Sequence, residues 1–132
     1  MQLDTKQQVL IAIYTEYQKE LPNMKQAITA NNLGIENAEV FYVALDKLQN
    51  EGFISDVRII RGDKSPMPVK VLTSFMKMTR NGLDYVEKLL EIDKTLNGED
   101  KTRNVIKKAT DWGFEQLKDF AAKVLAEIIK NT

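Results

Sequence analysis

The sequence predicts a mainly helical α+β fold. Two observations set that class. Apolar residues recur every three or four positions through most of the chain, and only the stretch from Phe53 to Met78 alternates with a period of two. A third observation bounds the chemistry: the 132 residues hold 19 Lys and Arg against 19 Asp and Glu, with no histidine and no cysteine. That length suits one domain with an appended element, since domains run to roughly 100–150 residues. Hydrophobic residues at 43% and charged residues at 29% describe an ordinary soluble globular chain.

The missing residue types exclude whole classes of function. Without His or Cys the usual zinc ligands are absent, so no metal site is expected. Disulfides, thiol nucleophiles, Ser-His-Asp triads and imidazole acid–base catalysis go with them. A formal net charge of zero removes any global field that would draw the protein onto nucleic acid or anionic lipid. The first apolar run, Val9 to Tyr14, follows Asp4, Lys6 and two glutamines and is too short for a signal segment or a membrane helix of about 20 residues. The expected location is therefore the cytoplasm, with no membrane partner.

The elements follow in order. Residues 4–19 read as an amphipathic helix capped by Asp4 or Thr5, with Val9, Ile13 and Tyr17 at four-residue spacing. Pro22 ends it, because proline disfavours helix in the preceding residue. A short helix is expected over about Met24 to Asn32, then a turn at Asn31-Asn32-Leu33-Gly34. A third helix, Glu36 to about Asn50, carries Phe41, Ala44, Leu45 and Leu48 as an inward stripe, and Gly52 supplies its left-handed end. Two β-rich runs, Phe53–Arg61 and Val69–Met78, flank the polar Arg61-Gly62-Asp63-Lys64-Ser65-Pro66 turn and read as an antiparallel hairpin. Thr79 then caps a fourth helix running to about Leu96, and Asn97-Gly98 breaks the chain. From Glu99 to Lys130 the pattern reads as one long helix.

Helix, helix, helix, hairpin, helix is the order of a winged helix-turn-helix domain, here over residues 1–97, with 98–132 as a C-terminal amphipathic helix. Asn32-Leu33-Gly34-Ile35, the Phe41–Leu48 stripe, Glu51-Gly52-Phe53-Ile54, and Thr79 with Gly82, Tyr85 and Val86 together resemble the YjcQ-like family of small winged-helix proteins. The resemblance covers about residues 5 to 96. The turn before the third helix differs by one residue in length, and the C-terminal helix is longer than the family's usual tail. The resemblance implies the winged-helix fold, a bacterial or prophage origin and an expectation of DNA binding.

A helix that enters the major groove needs Arg, Lys, Asn, Gln, Ser or Thr on its outer face. The outer face of the third helix instead carries Glu36, Glu39 and Asp46 against Lys47, with Val40 and Val43. Direct base readout would fall to Asn37, Tyr42, Lys47 and Asn50; a protein-facing or merely solvated surface is the competing reading. The hairpin suits phosphate better. From Arg58 to Arg80 there are six cations (Arg58, Arg61, Lys64, Lys70, Lys77, Arg80) and one acid, Asp63. Such a wing can grip a backbone without reading sequence, although exposed hairpins also carry cations simply to blunt their edges. The expected function is thus a winged-helix DNA-binding protein, a transcriptional regulator or phage accessory protein that contacts DNA mainly through Arg58, Arg61, Lys64 and Lys70. The alternative is a winged-helix protein-interaction module without DNA binding.

An unbroken helix from Glu99 to Lys130 would run roughly 48 Å at about 1.5 Å per residue, overhanging a core some 25–35 Å across. Its stripe of Ile106, Gly113, Leu117, Phe120, Val124 and Ile128, with Trp112 beside it, is too apolar to leave wet. Pairing with the same helix of a second copy gives a homodimer, Gly113 allowing close approach. A kink at Gly113 that folds the helix back, or a membrane-surface helix, are the other uses. The latter suits poorly a polar face that mixes Asp111, Glu115, Asp119 and Glu127 with lysines. No carboxylate pair, Gly-rich loop or cofactor motif stands out, and Met67, Met76 and Met78 read as core filler. No enzyme and no cofactor are expected.

Overall fold

A computed structural model describes residues 2–131. Six helices and two small antiparallel ladders make a mainly helical α+β fold. The first helix, α1 (Thr5–Tyr17), starts in a capping box: the Asp4 carboxylate accepts from the Gln7 amide at 2.7 Å, and the Gln7 side-chain carbonyl accepts from the Asp4 amide at 3.0 Å. Every residue from Val9 to Glu16 is buried. The predicted amphipathic helix is therefore apolar on all sides through its centre, as a helix enclosed by its neighbours must be.

Those neighbours follow from the caps. Helix α2 (Met24–Ala27) ends well before the predicted Asn32, because the Asn32 side chain donates to the carbonyls of Gln26 and Ala27 and closes the turn there. Helix α3 (Ala38–Asn50) starts at an Asn37 cap and buries Phe41, Ala44, Leu45 and Leu48 as expected. It ends in a Schellman motif, with the Phe53 amide donating to the Leu48 carbonyl, the Gly52 amide donating to that of Gln49, and Gly52 at φ +82°.

The hairpin is not one continuous ladder. Strand β1 (Ile54–Ser55) pairs with β4 (Lys77–Met78), and β2 (Arg58–Arg61) pairs with β3 (Pro68–Leu72). Between them Asp56 takes φ +63°, shifting the alternation by one residue so that Ile54 and Val57 both point into the core. Gln49 of α3 fills the gap: its side chain donates to the Val57 carbonyl at 2.9 Å and accepts from the Val57 amide at 2.8 Å. A polar helix side chain thus takes the place of a missing strand partner.

Helix α4 (Arg80–Leu90) stops six residues before the predicted Leu96. Glu91 adopts the left-handed conformation at φ +56°, and the Ile92 amide donates back to the Glu87 carbonyl. Ile92 is then buried. The predicted single C-terminal helix is two: α5 (Gly98–Trp112) and α6 (Glu115–Lys130). Gly113 at φ +77° breaks it, again as a Schellman end, with the Phe114 amide on the Ala109 carbonyl. A side chain at Gly113 would meet nothing within 4 Å, so this glycine serves the turn and not close approach.

The two helices form an antiparallel hairpin on α1. An unbroken helix would have needed a second copy to cover its stripe; folded back, it is covered from within. Leu117, Phe120 and Val124 are buried, Ile106, Trp112 and Ile128 are half-buried against the same core, and Gly113 is exposed. Two ion networks tie the helices in. Glu87 of α4, 6% exposed, accepts from the Tyr14 hydroxyl at 2.9 Å and from Lys101 of α5 at 2.8 Å. Lys19, just past α1, bridges Glu16, which is fully buried, and the exposed Glu127 of α6. One core cluster runs from Leu3 to Val124, through both sides of Asn97.

Candidate nucleic-acid interface

The exposed side of α3 and the β2–β3 hairpin form the surface on which the predicted contacts lie. On α3 they do not converge. Asn37 is the helix cap, its side chain accepting from the Glu39 amide at 2.9 Å. Tyr42 is half-buried, its ring 6.1 Å from that of Phe41. Lys47 is exposed on the rim of a shallow groove of about 390 Å³ between α1 and α3, floored by Val40, Val43 and Ala44. Five-residue steps at about 100° per residue set Tyr42 roughly 140° around the helix from each of the other two, with Asn37 and Lys47 about 80° apart. Tyr42 therefore faces away from the other two.

On the hairpin the register sorts the side chains into two faces. Ile59 pairs with Val71, and both pack against the core; Arg58 pairs with Leu72 and Ile60 with Lys70 on the other face. Arg58, Lys64 and Lys70 are exposed and make no ion pair among the described residues. Arg61 differs from them. Its Nη1 and Nη2 each donate to Asp46 of α3 at 2.9 Å, and Nη1 also donates to the Pro66 carbonyl. This pair draws the Asp46 carboxyl below the usual carboxylate range and raises Arg61. The fourth predicted phosphate contact is thus already engaged by its own chain. Lys77 and Arg80 lie only loosely by Asp56 and Asp84, at 4.0 and 3.9 Å.

The hairpin also carries apolar surface that sequence spacing did not reveal. Met67, expected in the core, is 49% exposed, while Met76 and Met78 are buried. Val69, Leu72 and Phe75 are exposed beside it, Phe75 at 78%. The bulge between Ile60 and Arg61 sets Pro68, and not Val69, opposite Arg61 and turns Val69 out.

Two of the stretches that carry the family resemblance, Glu51–Ile54 and Thr79–Val86, meet elsewhere, at the base of the hairpin. The Thr79 hydroxyl donates to the Gly52 carbonyl at 2.6 Å and accepts from the Gly82 amide at 3.0 Å, while the Thr79 amide donates to the Phe53 carbonyl. A Cβ on Gly82 would lie 2.1 Å from that carbonyl oxygen. Phe53 stacks on Tyr85 at 4.8 Å, and Tyr85 accepts from Gln7 at 3.0 Å. This junction is architecture: it locks helix ends to strand ends at the base of the hairpin, away from its tip.

Fold and surface together define a mainly helical α+β protein with a cation-bearing hairpin beside an acidic helix face. The YjcQ protein family model matches residues 7–112, and the chain belongs to that family. Searches among curated proteins and among solved structures returned no match. The family match continues through α5 and stops at Trp112, so α6 lies beyond it. Among the described residues no cluster of three or more acidic side chains could hold a metal ion, and no helix is long and apolar enough to cross a membrane.

Proposed function

We propose that this chain is a winged-helix DNA-binding protein, a regulator of transcription or a phage accessory protein, that holds duplex DNA by its wing. In this reading α1, α2 and α3 with β1–β4 and α4 are the winged-helix unit, and α5–α6 brace it from behind. One observation carries the reading: Arg58, Lys64 and Lys70 stand exposed on a single hairpin with no ion pair among the described residues, beside α3, which carries Glu39 and Asp46, with Glu36 just before its cap. Phosphate contacts supply affinity without sequence information, whereas carboxylates and valines supply no base readout. The grip is therefore sequence-tolerant. We assign the protein no catalytic step. We also propose that it acts as a single copy, because Leu117, Phe120 and Val124 of the stripe that would have paired two copies are buried within the fold.

A labelled mixed-sequence duplex, titrated between about 50 and 200 mM salt, tests the wing. Each phosphate contact adds about 0.9 to the slope of log affinity against log salt, so Arg58→Ala/Lys64→Ala/Lys70→Ala together should flatten it by roughly 2.7. Absence of binding at low salt would sink the DNA reading. The exposed Met67, Val69, Leu72 and Phe75 favour the second reading, a protein-interaction module using the same hairpin.

A further inference from the structure

The most engaged cation of the hairpin is also the one best shaped for phosphate. A guanidinium presents two parallel donors, and carboxylate and phosphate compete for the same fork. In Arg61 that fork is filled by Asp46, both bonds at 2.9 Å, from the helix beside the wing. The pair lies in solvent, with the Arg61 side chain 44% and that of Asp46 28% exposed. Water reaches both partners, so the bidentate pair is open to exchange and an incoming phosphate can compete for the fork.

We propose that Asp46 is an intramolecular stand-in for phosphate: it competes with the DNA backbone for Arg61 and keeps the wing's affinity below what its four cations would give. The inference rests on the wing reading above. Its geometry has a second consequence. Because Arg61 Nη1 also donates to the Pro66 carbonyl, the same clip holds the 62–67 turn against α3. When Arg61 exchanges Asp46 for a phosphate, the wing tip is released from the helix as it engages the duplex.

Asp46→Asn removes the competing charge while keeping the side chain's size. Glu39→Gln is the control: Glu39 is exposed on the same helix, makes no ion pair among the described residues, and does not touch Arg61. Binding of the labelled duplex is expected to tighten roughly five- to tenfold in Asp46→Asn at about 50 mM salt, with a slope steeper by about 0.9. Glu39→Gln should gain less than about twofold with the slope unchanged, and Asp46→Asn/Arg61→Gln should lose the gain. Equal gains in Asp46→Asn and Glu39→Gln, or a gain that survives Arg61→Gln, would overturn the proposal. The two levels fail separately. If the triple wing variant binds as tightly as the native chain, the wing is not the grip and both fall. If that variant loses binding while Asp46→Asn changes nothing, the inference alone falls.

Discussion

Gly82 and Gly113 are the same residue type put to opposite uses, and their substitutions should separate accordingly. At Gly82 a methyl group would collide with the Phe53 carbonyl, 2.1 Å away, inside the junction that Thr79 closes. Gly82→Ala should therefore cost about 3 kcal/mol or more, read from the urea midpoint. At Gly113 there is open space, and only the left-handed backbone objects. Gly113→Ala should cost only about 1 kcal/mol. The Asp46–Arg61 pair adds a pH dependence. Asp46 is held below its ordinary value in the folded protein, so the stability it contributes is complete above the unfolded carboxylate pKa of about 3.9 and fades as pH falls through the folded value. Native chain and Asp46→Asn should thus differ in urea midpoint at neutral pH and converge in strong acid. Single residues were unevenly legible. Phe41, Ala44, Leu45 and Leu48 follow from period alone. Asn37, Tyr42 and Lys47 all fall outside the inward stripe by period, but a cap, a ring against the core and a groove rim are three different positions.

At the scale of elements, the hairpin's place in the chain was readable from the change of period, and its interior was not. The positive φ of Asp56 and the side-chain bridge from Gln49 have no periodic signature, because a glutamine standing in for a strand is a tertiary event. The C-terminal break is instructive in the same way. Apolar residues on both sides of Gly113 keep helical spacing, so pattern argues for one helix while the Trp112-Gly113-Phe114 turn argues for two. The packing of α6 on α1 decides it, since it buries Leu117, Phe120 and Val124 and closes the Lys19–Glu127 bridge. Phe120→Ala should consequently cost about 3–5 kcal/mol, as a core truncation does and an exposed dimer face would not. Light scattering of the native chain should return one copy, 15.1 kDa. A mass of twice that value, lost on Phe120→Ala, would restore the paired-helix arrangement.

Across the whole molecule, the balance of 19 cations and 19 acids hides a polarised surface. The acids of α3 and the cations of the hairpin lie side by side, and at one point, Asp46–Arg61, they meet. The family's signature residues account for the junction that sets this geometry, which is why the fold was legible where the partner was not. Helix caps, glycine turns and core stripes are local rules, whereas a binding surface is defined by what remains unpaired after folding. On the hairpin, among the described residues, the cations left without an ion pair are Arg58, Lys64 and Lys70, the three that the proposed grip uses. The salt dependence of duplex binding tests the claim most directly. Binding at about 50 mM salt should weaken steeply toward 200 mM, with a slope about 2.7 shallower once those three cations become alanine. A slope that is the same with and without them would contradict it.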